Sequence, residues 1–158
     1  MRVGLAATFL VVSIGIASCT TPVTINETEW MNPDPEIERL HVSAYNLDLG
    51  IGVAQDRIRA NELYLQAAKA GDPRSMMNYA INLANGEGAE ADLIDAYSWT
   101  ETARFLTQNM QDKKIKWRVR GLNDELRKEL SPAQIEDGQR RAKIKIDEIA
   151  QRKSISDH

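Results

Sequence analysis

The chain has 158 residues, 20 Lys+Arg against 23 Asp+Glu for a formal net charge of −3, and 42% hydrophobic residues. That length and composition suit one domain with a sizeable core, and the missing basic excess argues against nucleic acid as a main ligand. One cysteine excludes an intrachain disulfide and a thiolate zinc cluster.

In the first 19 residues Arg2 is the only charge, and Val3 to Ala17 is an apolar run. The run is short for a transmembrane helix of about 20 residues and reads as a secretory signal peptide over residues 1–18. It ends Ile16-Ala17-Ser18-Cys19, with Thr20 next. These residues resemble a bacterial lipobox. The resemblance implies cleavage after Ser18 and acylation of Cys19, including palmitate-type chains. A Thr rather than an Asp after the cysteine implies transfer to the outer membrane, facing the periplasm. Lipidation also gives an unpaired cysteine in an exported chain a purpose. Residues 19–33 are polar, hold two prolines and read as a flexible tether. Trp30 within them is expected to dock on the first helix; contact with the lipid interface is the other reading.

Three sites share one helix-start design: Asp34-Pro35, Asp72-Pro73 and Ser131-Pro132. In each, a side-chain oxygen can accept from a first-turn N–H, and proline follows where its missing N–H costs nothing. Gln134 completes a capping box with Ser131; Asp56 and Asp92 are further caps. Apolar spacing predicts six helices. The stripes are Ile37, Leu40, Ala44 and Leu47; then Ile58, Leu63, Ala67 and Ala70; then Met76 or Met77, Ala80, Ile81 and Ala84; then Leu93, Ala96, Trp99, Ala103 and Leu106. A fifth helix runs from about Asp112 to Leu130 and a sixth from Ser131 to about Lys153, with no strand alternation anywhere.

The sequence also repeats itself. Ala44, Asn46, Leu47, Gly50, Gly52, Asp56, Ile58, Ala60 and Ala67 return 36 positions later as Ala80, Asn82, Leu83, Gly86, Gly88, Asp92, Ile94, Ala96 and Ala103. A fixed period of this size signals stacked units, each needing a neighbour to bury its apolar face. Within a unit, glycine permits a left-handed cap, Asp restarts the chain as a helix, and the alanines allow close helix crossings. Leu63 and Tyr64, or Trp99, are expected to fill the space between units.

This pattern resembles the Sel-1-like repeat, a relative of the tetratricopeptide repeat. Gly50-Ile51-Gly52-Val53, Asp56, Ala60, Leu63-Tyr64, Ala67-Ala68 and Gly71-Asp72-Pro73 carry the resemblance in the first unit. Gly86-Glu87-Gly88-Ala89, Asp92, Ala96, Trp99 and Ala103 carry it in the second, where Thr100 and Arg104 depart from it. The resemblance implies an all-α fold, a short right-handed α-α superhelix of about three hairpins. The repeat domain spans 34–153, with units at about 37–72 and 73–108, a degenerate capping pair at 112–153 and a disordered tail at 154–158. It further implies an interaction module without catalysis, its first helices lining a concave face. Candidate partner contacts there are His41, Tyr45, Asp48, Asn78, Tyr79 and Asn82. Cysteine-rich members of the family bind penicillin-like compounds through repeat disulfides, which this chain lacks.

Other chemistry is sparse. Gly50-Ile51-Gly52 and Gly86-Glu87-Gly88 follow helices, whereas phosphate loops follow strands, so both read as caps. His41 is the only histidine besides His158 and reads as a helix-surface residue. Glu87, Glu90, Asp92 and Asp95 lack EF-hand spacing and read as a solvated loop with caps. Lys113, Lys114, Lys116, Arg118 and Arg120 form a basic stretch, expected to be a solvated face with Trp117 turned inward; contact with anionic lipid, peptidoglycan or an acidic partner is the other reading. Charge is uneven: residues 19–111 hold six basic and fourteen acidic residues, and 112–153 thirteen and eight. The lipobox and repeat resemblances together imply a lipid-anchored adaptor of the envelope with a protein or peptide partner, contact with the membrane through acyl chains, and no cofactor beyond the lipid on Cys19. A periplasmic immunity or inhibitor lipoprotein that blocks a toxin or envelope hydrolase is the alternative. An enzyme acting on cell-wall material would need a nucleophile–base pair that the sequence does not offer.

Overall fold

A computed structural model describes residues 34–156. The expected signal peptide, lipidation site Cys19 and tether, together with Trp30, lie outside the described residues. Six helices follow in order: α1 (Pro35–Leu49), α2 (Arg57–Lys69), α3 (Pro73–Asn85), α4 (Leu93–Thr107), α5 (Lys113–Lys128) and α6 (Pro132–Ser156), with no strand among the described residues. α6 runs three residues past its expected end, so residues 154–156 continue the helix rather than begin a tail.

The starts form as the cap chemistry dictates. Asp34, Asp56, Asp72 and Asp92 each accept a backbone N–H from the first turn, and Asp112 accepts two. Ser131 and Gln134 close a reciprocal box, Ser131 N–H to Gln134 Oε1 at 2.9 Å and Gln134 N–H to Ser131 Oγ at 3.4 Å. The ends of α1 and α3 are copies of one another. Gly50 and Gly86 take φ of 72° and 69°, left-handed values that cost a β-carbon roughly 1–2 kcal/mol. The chain then returns through Asp56 N–H to Leu47 O at 2.9 Å and Asp92 N–H to Leu83 O at 3.1 Å.

The recurring alanines sit at the crossings. Ala44, Ala60, Ala67, Ala80, Ala96 and Ala103 are all fully buried. α1 packs on α2, α2 on α3 and α3 on α4, the succession of a solenoid. Tyr64 fills the first seam and Trp99 the second, while Leu63 is only half-buried. The third pair departs from this succession: α5 packs on α4 and α3, and α6 packs along α4 and reaches α2, instead of the two lying against each other. Gly138 allows that crossing, because a β-carbon there would stand 2.5 Å from Tyr97 Cδ1. Farther along, Ile149 and Lys153 close on the Gly71 corner of the first unit.

Candidate functional site

The residues expected to line a concave face divide into two polar clusters inside the first seam. One is centred on Asp72, which is fully buried. Its carboxylate accepts from Ser75 N–H at 3.1 Å, Ser75 Oγ at 2.6 Å and Arg74 Nε at 3.0 Å. Arg74 also reaches back to Glu38 at 2.7 Å, joining α3 to α1. Burial works against the Arg74 charge, but Asp72 and Glu38 outweigh it and raise the pKa of the guanidinium. His41 contradicts the surface expectation. It is 1% exposed, its Nδ1 lying 2.9 Å from Ser75 Oγ and 3.3 Å from Asp72 Oδ2. A single ring nitrogen on helix α1 thereby meets the cap of helix α3, a pairing across 34 positions that helical spacing cannot reveal.

Histidine, serine and aspartate so close invite a catalytic reading, and the geometry refuses it. The serine hydroxyl has one proton and donates it to Asp72 at 2.6 Å, so the carboxylate and not the imidazole takes it. All three side chains are almost wholly closed to solvent. A nucleophile must face both a base and a substrate; here the hydroxyl faces neither a free base nor an opening.

The second cluster joins the two units. Asn82 donates to Asn61 Oδ1 at 2.8 Å and lies 3.4 Å from Asp48 Oδ1. Asn61 donates to the Glu87 carbonyl at 2.7 Å. Asn78 donates to Tyr64 Oη at 3.1 Å, and that hydroxyl points to Asp48 at 3.4 Å. Burial and the Asp48 charge push the Tyr64 phenol far above its ordinary pKa. Asn82 is therefore also withdrawn from any partner, 3% exposed. Tyr45, Asp48, Asn78 and Tyr79 stay half-buried, with one side turned to solvent. Four of the six candidates thus edge a surface, and two hold it together from within.

Thr100, which departs from the repeat pattern, has a comparable role. It stands at the position equivalent to Tyr64 and takes a hydrogen bond from Asn123 of α5 at 2.9 Å. A short threonine in place of a tyrosine leaves room for α5 to come closer to α4.

The acidic corner is occupied by protein. Asp95 accepts from Ser98 Oγ, Trp99 Nε1 at 3.1 Å and Lys145 Nζ at 2.8 Å, and Lys145 stands 4.9 Å over the Trp99 ring. Asp92 and Asp95 also face Arg141. Among the described residues, no three His, Cys, Asp or Glu side chains group to hold a metal ion, and no helix is long and apolar enough to cross a membrane.

Trp117 is a second residue that spacing misplaced. It is 75% exposed instead of turned inward, because Ile115, Val119, Leu122 and Leu126 take the inner face of α5. Lys113, Lys114 and Arg120 are exposed on the same side. The first two stand in the opening turn, where the positive end of the helix dipole disfavours a cation by roughly 0.3–1 kcal/mol. Stability of the helix does not account for them.

No protein-family model matches the chain, and no curated protein matches it. A solved structure is similar: c5321, a protective antigen of uropathogenic Escherichia coli strains that displays an SLR fold. The TM-score is 0.65 at 21% identity, over 74% of this chain and 24% of that one. The present chain thus spans about a quarter of that protein's length, and the likeness shows the fold: a Sel-1-like repeat (SLR) solenoid.

Proposed function

We propose that this SLR solenoid is a lipid-anchored adaptor of the bacterial envelope, held at the membrane through Cys19 and binding one protein partner along the α1–α3 side. The carrying observation is the seam between the two units. Its polar groups are spent on holding α1, α2 and α3 in fixed relation, while Tyr45, Asp48, Asn78 and Tyr79 keep an edge in solvent. A rigid frame with half-exposed aromatic and polar side chains lowers the ordering cost of binding. The sequence at Ile16-Ala17-Ser18-Cys19 supports the anchor. The similar structure supports a repeat-built interaction module and carries no information on location.

Two measurements test this reading. Metabolic fatty-acid labelling should mark the wild-type chain and not Cys19→Ser; equal labelling of both contradicts the anchor. A photo-crosslinking amino acid at Tyr45 or Asn78 in living cells should capture a discrete protein adduct that the same probe at Glu125, on α5, does not. Capture of a toxin or an envelope hydrolase would favour the inhibitor role over the adaptor role. No adduct from either seam position contradicts a protein partner on this side.

A further inference from the structure

We infer that the outward face of α5 is a second, peripheral membrane contact, with Trp117 seated among the headgroups of an anionic lipid surface. At 100° per residue, Lys113, Lys114 and Arg120 lie within about 60° of Trp117 around the helix. All four are exposed, no acidic residue stands between positions 113 and 123, and Asp124, exposed on the same stripe two turns after Trp117, bounds the cationic patch. Lys116 and Arg118 flank the face half-buried. Gly121 follows the tryptophan by one turn, and a β-carbon there would meet nothing within 4 Å. The indole therefore protrudes from a flat helix surface, with two lysines on the turn before it and Arg120 on the turn after.

That shape selects the class of ligand. Aromatic anchors at protein interfaces sit centrally in well-packed, desolvated pockets, and this face offers a projection with no wall beside it. An indole on a cationic helix instead suits the layer between lipid headgroups and acyl chains, where its ring is buried and the lysine and arginine stems reach back to phosphate. A symmetric pairing of this face with its own copy is disfavoured, because α5 against α5 would bring like charges together.

The contact rests in part on the proposed anchor, which makes a weak site sufficient. From Cys19 to Asp34 the chain can span at most about 50 Å, so the proposed anchor would keep the repeat domain near the bilayer. Tethering raises the effective concentration of the second contact without requiring high affinity.

The test uses the full chain reconstituted into phosphatidylcholine vesicles with about one phosphatidylglycerol in three lipids. The tryptophan emission of wild type minus that of Trp117→Phe isolates this indole from Trp30 and Trp99. The expected result is a blue-shifted component, quenched by brominated acyl chains on the anionic vesicles and solvent-like on phosphatidylcholine alone. Removing a cation from an anionic surface lowers partitioning about fivefold, so Lys113→Glu/Lys114→Glu/Arg120→Glu should return the indole to water. These side chains are exposed, and unchanged circular dichroism and melting verify the fold of that variant. A solvent-like Trp117 on anionic vesicles overturns the inference, as does shielding that arises only when an envelope protein extract is added, which would make the ligand an acidic protein. The difference spectrum reports on α5 whether or not Cys19 carries lipid, so absent fatty-acid labelling sinks the anchor alone.

Discussion

The first and second units share residues but not circumstances. Ile94 packs against the main core, whereas Ile58, its counterpart 36 positions earlier, is 66% exposed. Gly52 and Gly88 have the same left-handed backbone, φ 73° and 71°. A β-carbon on Gly88 would stand 2.5 Å from the backbone of Arg57, and one on Gly52 would meet nothing within 4 Å. The second unit rests on the first, and the first has no unit before it in the described chain. An interface residue in a repeat acquires structural weight only from the neighbour it touches.

The polar seam is the sharpest place to break this arrangement. Asp72 joins the units, and the position 36 residues later is Gln108, so no copy exists after the second unit. Asp72→Ala should cost about 3 kcal/mol, because it removes the cap of α3, one of the carboxylates that hold the buried Arg74 and the acceptor of Ser75. A loss under about 1 kcal/mol in urea unfolding would show that the seam tolerates separation.

The isoleucine pair sharpens the contrast at lower cost. Ile94→Ser should destabilise by about 1–2 kcal/mol for the apolar area that this partly buried side chain loses, while Ile58→Ser should stay within about 0.5 kcal/mol as a surface change. Equal effects would mean that the outer edge of the first unit is covered in solution.

A smaller effect is set by the phenols. Burial raises the pKa of Tyr64, Tyr79 and Tyr97 above the ordinary 10.0. The folded state therefore holds these protons more tightly than the unfolded state, so their contribution is fully present below pH 10 and lost as pH rises above it. In an alkaline titration, phenolate absorbance from these three should grow in together with loss of helix. Ionisation of all of them in a fully helical protein would contradict the burial of the two seams.

Local chemistry was legible along the chain because caps and turns act within a few residues. The aspartates at 34, 56, 72 and 92, the Ser131–Gln134 box, the two glycine corners and the buried alanines all follow from short-range rules. What spacing could not supply was pairing across the fold. His41 meets Asp72 and Ser75 through the crossing of α1 and α3. Spacing and resemblance put the partner candidates on one open face, yet His41 and Asn82 are consumed by the seam. Trp117 went outward since four aliphatic residues already filled the α5 inner stripe, which counting apolar positions could have revealed. The position of α6 along α4 depended on Gly138 lying over Tyr97, a contact between distant residues with no periodic trace.

The glycine pair tests the stacking most directly. Gly52→Ala should lower stability by about 1–2 kcal/mol, the left-handed backbone term alone. Gly88→Ala should lose that and about 1–3 kcal/mol more, as the new methyl group forces the units apart. Thermal melting of the two variants should therefore place Gly88→Ala well below Gly52→Ala. Coincident melting curves would contradict the claim that the second hairpin rests on the first.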